Sequence, residues 1–243
     1  MRLFYYFFIT LVFFSCSNNV QLIFDENNGG LFLPKGFQSL VVHDGVGQSR
    51  HFAVNDNGDD FGWPYTYFDH FKNQRFVAPE YGGNSEQIAS KAYKDPIYGL
   101  PAHWAPNDLL FYSGDMFPNR YKNGAFIAFH GSTNRSPYPQ AGYVVGFIPF
   151  SNGLPSGELE IFADGFAQVE VIKEMKDAKY RPMGLAEGHD GSLYISDSKK
   201  GKIWRVFYTA DKASFSDENL KEMELREYLP HIKTPTEFED IVK

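Results

Sequence analysis

"MGLAEGHDGSLYISDSKKGKIWRVFY", residues 183–208, decides the fold class. Three short apolar runs are separated by HDG at 189–191 and KKG at 199–201. Alternation of apolar and polar residues over so few positions marks a strand with two distinct faces. The glycine in each separator tolerates the positive φ of a tight reversal, and Asp-Gly is among the strongest hairpin signals. The unit therefore reads as a three-stranded meander. The same rhythm recurs upstream in FQSLVVH (37–43), RHFAVN (50–55), DLLFYSG (108–114), GAFIAFHG (124–131), GYVVGFIPF (142–150) and ELEIFADGF (158–166). Short, evenly spaced strands with turn signals predict an all-β protein, and repeated four-stranded meanders predict a β-propeller.

Composition agrees. The 243 residues include 24 Phe, 15 Tyr, 22 Gly and 14 Pro, a mixture that suits strands and turns. The formal charge is −7 and no basic run stands out, which argues against a nucleic-acid partner, because phosphate binding needs clustered Lys and Arg. Residues 61–106 break the rhythm with an aromatic, Pro-rich and irregular stretch. A loop that long inside a domain is usually functional, and its aromatics also suit the covering of a sheet face.

The two ends differ from the middle. Residues 1–16 hold an early Arg2, an apolar run from Leu3 to Phe14, and then Ser15-Cys16. The run is too short to span a bilayer and suits a signal peptide. A small residue followed by the only cysteine resembles a bacterial lipoprotein cleavage site, with Cys16 as the lipidated residue. The alternatives are a secretory signal with an incidental Cys, or a short membrane anchor. The expected location is periplasmic or on the outer membrane, with membrane contact only through the lipid. Residues 17–30 read as a polar tether, 31–208 as a partial propeller domain, and 209–243 as a linker ending in a helical start. Within that last part, SFSDENLKEMELREYL suits a short helix, and Thr234, Pro235 and Glu237 form the start of another.

Five segments, in order, resemble the quinoprotein sugar dehydrogenases of the glucose/sorbosone type, including the pyranose dehydrogenase propellers. They are LPKGFQSLVVHDGVGQSRHFAV (33–54), FGWPYTYF (61–68), HWAPNDLLFYSGDMFPNRYKNGAFIAFHGSTNR (103–135), GYVVGFIPFSNGLPSGELEIFADGF (142–166) and YRPMGLAEGHDGSLYISDSKKGKIWRVFY (180–208). The resemblance implies a six-bladed propeller that binds pyrroloquinoline quinone (PQQ) and calcium and oxidises a sugar or polyol hydroxyl. Electrons would pass to a separate acceptor such as a cytochrome c. One departure matters. The first-blade strands and GWPY are nearly fused here, and about ten strands are visible where six four-stranded blades need about two dozen. The propeller is therefore expected to be incomplete, with roughly half of its blades.

The resemblance places Arg50, Arg135 and Arg181 at cofactor-facing positions. PQQ carries three carboxylates, and Arg pairs with carboxylates through a planar fork. Each Arg equally suits a surface ion pair. His130 is a candidate base for the sugar hydroxyl, since an imidazole titrates near neutrality. It also suits a hydrogen bond to the cofactor, or a structural role at a strand end. Asn134 either orients a cofactor carboxylate or shapes its turn. Trp63 and Trp104 are candidate walls of a sugar pocket, or simply core. Asp197 positions a calcium or an Arg, or caps the turn after it. NDNGDD fails as an EF-hand, because its first and twelfth ligand positions fall on Ala53 and Pro64. The expected function is an exported quinoprotein aldose dehydrogenase. The alternative is a non-catalytic lipoprotein remnant that binds a carbohydrate or a protein. A calcium-dependent lactonase ranks third.

Overall fold

In the computed structural model, residues 23–43, 61–62, 65–84, 86–89 and 93–233 are described. Twelve strands follow one another among them. They are β1 (Phe37–His43), β2 (Thr66–Asp69), β3 (Gln74–Val77), β4 (Pro106–Phe111), β5 (Ala125–Phe129) and β6 (Val144–Ile148). Then come β7 (Phe150–Ser151), β8 (Leu154–Pro155), β9 (Glu160–Ala163), β10 (Pro182–Glu187), β11 (Leu193–Asp197) and β12 (Ile203–Tyr208). Among the described residues one short α-helix, α1 (Lys221–Arg226), lies in the charged stretch expected to hold a helix.

The protein is all-β, and its pairings are antiparallel. The meander expected at residues 183–208 is present as β10, β11 and β12, and β1 joins it to make the sheet β1-β12-β11-β10. A second four-stranded sheet has the order β4-β5-β6-β9. The separators behave as their chemistry dictates. Gly191 and Gly201 have φ of 81° and 71°. Asp190 accepts hydrogen bonds from the Ser192 amide and hydroxyl, which fixes the first reversal.

Period-2 alternation lets each sheet serve two layers. Phe126 and Ala128 of β5 face a core shared with Leu193, Ile195, Trp204 and Val206 of the other sheet. Ile127 and Phe129 face the opposite way, into a second core with Trp104, Ile161, Met223 and Ile232. Burial on both faces explains why all five β5 residues are buried. The first core is built from rings. Phe37 packs edge-on against Phe117, Phe162 and Tyr208 at centroid distances of 4.8–5.1 Å. Such pairs add about 0.5–1.5 kcal/mol each beyond burial.

Two segments differ from expectation. Part of the stretch read as one long loop is the hairpin β2–β3. Its turn uses Asp69, whose Oδ1 accepts the amides of Phe71 and Lys72, and Asn73 at φ 47°. There is no Asp-Gly or Asn-Gly to announce it. The end of the segment read as a tether is also docked. Asp25 accepts the Val41 amide at 2.7 Å, Asn28 accepts the Ser39 amide, and the Gly29 carbonyl accepts the Trp204 indole N–H. Edge strand β1 offers unpaired backbone groups, and these polar residues satisfy some of them.

Candidate functional site

The site forms where β5 ends and the β10–β11 hairpin begins. β10 packs against β4 and β5, which carries one sheet's strand ends to the other's. The register pairs Pro182 with Asp197, so Arg181 and Ser198 stand side by side, with the Ser198 amide donating to the Arg181 carbonyl at 3.2 Å.

The first half of HGSTNR is held on every side. The His130 amide donates to the Ala105 carbonyl and the Gly131 amide to the Trp104 carbonyl, both at 2.9 Å. Ser132 donates its amide to Ala141 and its hydroxyl to Gln140. The Tyr143 hydroxyl donates to the Ser132 carbonyl. Gly131 has φ 86°, and a Cβ there would lie 2.4 Å from the Tyr143 ring, so only glycine fits.

Arg181 bridges the two sheets. Its Nε donates to the His130 carbonyl at 2.9 Å and its Nη2 to the Gly131 carbonyl at 2.7 Å. The guanidinium lies over the Tyr143 ring at 5.5 Å. Asp197, almost fully buried, accepts the amides of Arg181, Lys199, Lys200 and Gly201. It is the turn cap of its alternatives, and it orders Arg181 through the backbone. Lys199 folds its ammonium onto the carbonyls of Lys176 and Ala178. Burial, then Lys200 and Arg181, push its pKa below the ordinary lysine value.

His130 is half-buried, and its Nε2 lies 2.6 Å from the Ser198 hydroxyl oxygen. Arg135 is buried. Among the described residues its guanidinium makes one hydrogen bond, a long 3.3 Å contact to the Pro139 carbonyl, and stacks on Tyr138 at 5.8 Å. Burial pulls its pKa below the ordinary arginine value, with Tyr138 opposing. Asn134 is exposed and accepts the Ser136 amide at 3.4 Å, the turn-shaping contact.

The structure thus brings His130 and Arg181 together and keeps Arg135 in the same loop. Trp104 is placed elsewhere. Its ring packs edge-on against Phe129 in the second core, 2 % exposed, and lines a separate cavity of about 370 Å³ with Tyr98, Glu158 and Tyr228. Its indole nitrogen has no partner among the described residues. Arg50, Trp63 and Cys16 lie outside the described residues. Ser198, Lys199 and Tyr143 escaped the sequence reading. The available signal was the polar turn SKKG directly after a strand that pairs with Arg181's own.

A family model described as TrAA12-like matches residues 47–209. The chain belongs to the TrAA12-like family. Both sheets' strands after β1 lie within the matched span, as do all the loops that build the site. An uncharacterized protein of Borreliella burgdorferi is 30% identical over 199 residues, which are 82% of this chain and 48% of that relative. The chain therefore spans about half the length of the curated relative it matches. Among solved structures, the calcium structure of the Trichoderma reesei Carbohydrate-Active Enzymes Family AA12 protein is 18% identical. It aligns with a TM-score of 0.46 over 71% of this chain and 48% of its own. The apo soluble aldose sugar dehydrogenase of Escherichia coli is 17% identical, with a TM-score of 0.38 over 74% of this chain and 44% of its own.

Proposed function

We propose that this TrAA12-like chain is a sugar oxidoreductase-like protein whose HGSTNR loop binds the carboxylates of a quinone cofactor, PQQ, beside His130. The observation that carries the reading is Arg135. A buried guanidinium with one long hydrogen bond has donors to spare, and a buried charge is retained when a ligand of opposite charge completes it. Membership of the TrAA12-like family supports a sugar as the substrate class, and within it the reading is an aldose or related polyol.

The donor set fits such a ligand. Arg135 would hold a carboxylate, and the backbone of residues 130–132, locked by Arg181 and Tyr143, would present His130 at a constant position. When bound, the quinone supplies a two-electron acceptor. His130 takes the proton of the sugar hydroxyl, a role for which imidazole is suited near neutral pH. Among the described residues no group of three or more His, Cys, Asp or Glu is placed to hold a metal ion such as calcium.

The two four-stranded sheets fit neighbouring blades of a propeller of the six-bladed type, with roughly half of the blades in this chain. Export as a lipoprotein through Cys16, and transfer of electrons to a separate carrier such as a cytochrome c, complete the reading. A second reading is favoured by Arg181, whose guanidinium is committed to two backbone carbonyls. The loop then keeps its shape with no cofactor, as a non-catalytic carbohydrate- or protein-binding remnant. Titration of the purified chain with PQQ, with and without calcium, separates the two. Saturable binding that Arg135→Met abolishes is the expected result. A folded chain with no affinity for PQQ removes the first reading.

A further inference from the structure

We propose that Ser198 is a positioning residue that holds His130 as the neutral tautomer protonated at Nδ1, with its lone pair at Nε2. The inference rests on the reading of His130 as the proton acceptor and adds which atom accepts and what keeps it ready. The distance between Ser198 Oγ and His130 Nε2 is 2.6 Å, a short hydrogen bond whose direction depends on the tautomer.

The surroundings set that direction. Ser198 is 7% exposed, so its hydroxyl proton needs a protein acceptor. Among the described residues His130 Nε2 is the only hydrogen-bond partner of Ser198 Oγ. If Nε2 carried the proton and donated to Oγ, the hydroxyl proton would be buried without an acceptor. If Oγ donates to Nε2, the hydroxyl proton and the Nε2 lone pair serve each other. The serine is itself fixed, because its amide donates to the Arg181 carbonyl and the preceding Asp197 caps its turn. Arg181 in turn holds the His130 carbonyl through its guanidinium, so both residues are anchored on Arg181, His130 by the Arg181 side chain and Ser198 by the Arg181 backbone carbonyl. Ser198 thereby fixes the Nε2 lone pair on the ring before substrate arrives, and a substrate hydroxyl that gives its proton to Nε2 takes over the hydrogen bond that Ser198 donates in its absence.

The test is ¹⁵N NMR of the full chain, with the His130 ring signals identified by their loss in His130→Gln. The wild type is expected to show the Nδ1-protonated tautomer. Ser198→Ala is expected to reduce that preference about fivefold, the weight of one ordinary hydrogen bond, and Ser198→Thr to restore it. A wild-type ring protonated at Nε2, or a tautomer ratio unchanged in a folded Ser198→Ala, overturns the proposal. PQQ titration of the same two samples reports separately on the cofactor reading. Failure of PQQ binding with the expected tautomer shift removes that reading and supports the Ser198 contact. Where PQQ-dependent sugar oxidation is present, Ser198→Ala is expected to lower kcat and leave KM unchanged.

Discussion

Two buried ionic clusters show opposite designs. Asp164, at the end of β9, is 1% exposed, and both of its oxygens are engaged. Arg226 donates Nε and Nη2 to Oδ2 at 2.7 and 2.6 Å, and His231 Nε2 lies 2.9 Å from Oδ1. The Arg226 guanidinium also lies 3.6 Å from the centroid of the Phe32 ring. This carboxylate fastens the C-terminal segment, with Met223 and Ile232, over the second core. Arg135, 8% exposed, is less deeply buried and among the described residues is served by one long bond. A cluster whose charges satisfy each other is a staple. A charge left partly unserved costs stability and is the mark of a place where a ligand finishes the pairing.

The sharpest way to break this contrast is Asp164→Ala. It strands Arg226 and His231 against a buried wall and is expected to cost about 3–5 kcal/mol in urea denaturation. Acid should release the same staple. Burial pushes the Asp164 carboxyl upward, but the His231 hydrogen bond and the His231 and Arg226 charges outweigh it and hold it below the ordinary value. The folded state thus binds the proton more weakly than the unfolded chain. Its contribution is complete above the ordinary carboxylate pKa of about 4 and fades as pH falls through the lower folded value. Stability followed by fluorescence across that acid range should fall in the wild type, and the fall should be shallower in Asp164→Asn.

Gly131→Ala tests whether the loop that carries His130 tolerates strain. Its φ of 86° and the close Tyr143 ring predict a loss of about 1–3 kcal/mol by thermal melting. Arg135→Met should move the other way. Removing an underserved buried charge is expected to raise the stability of the cofactor-free chain by about 1 kcal/mol while abolishing PQQ binding. Destabilisation by Arg135→Met would put it in the same class as Asp164 and erase the distinction. The smallest effect is expected from Asn134→Ala, within about 0.5 kcal/mol, because the residue is exposed and its one contact is long.

Much was visible before any coordinates. β1, β5, β6, β9, β10, β11 and β12 fall within segments whose alternation and Gly-bearing turns marked them as strands. The β2–β3 hairpin was hidden because an Asx turn at Asp69 does the work that Asp-Gly does elsewhere. At the site, His130 and Arg135 were legible as side chains suited to a proton and an anion, whereas Arg181, expected to face a cofactor, gives its guanidinium to the carbonyls of His130 and Gly131. Trp104 was open to two readings, since an indole has the same composition signal in a core as in a sugar pocket, and here the ring packs in the second core while lining a cavity.

The sequence by itself determined the local terms. Side-chain alternation sets which residues leave each face of a strand, and glycine in a tight turn sets where the chain reverses, because both depend only on neighbouring backbone geometry. The tertiary structure decided everything that joins distant segments. It placed Ser198 on His130 across 68 positions of chain, Arg181 on the carbonyls of His130 and Gly131, and His231 on Asp164. Those partners depend on how one sheet packs against the other, and a single hydroxyl or carbonyl leaves no pattern in sequence until packing brings it within 3 Å of its partner.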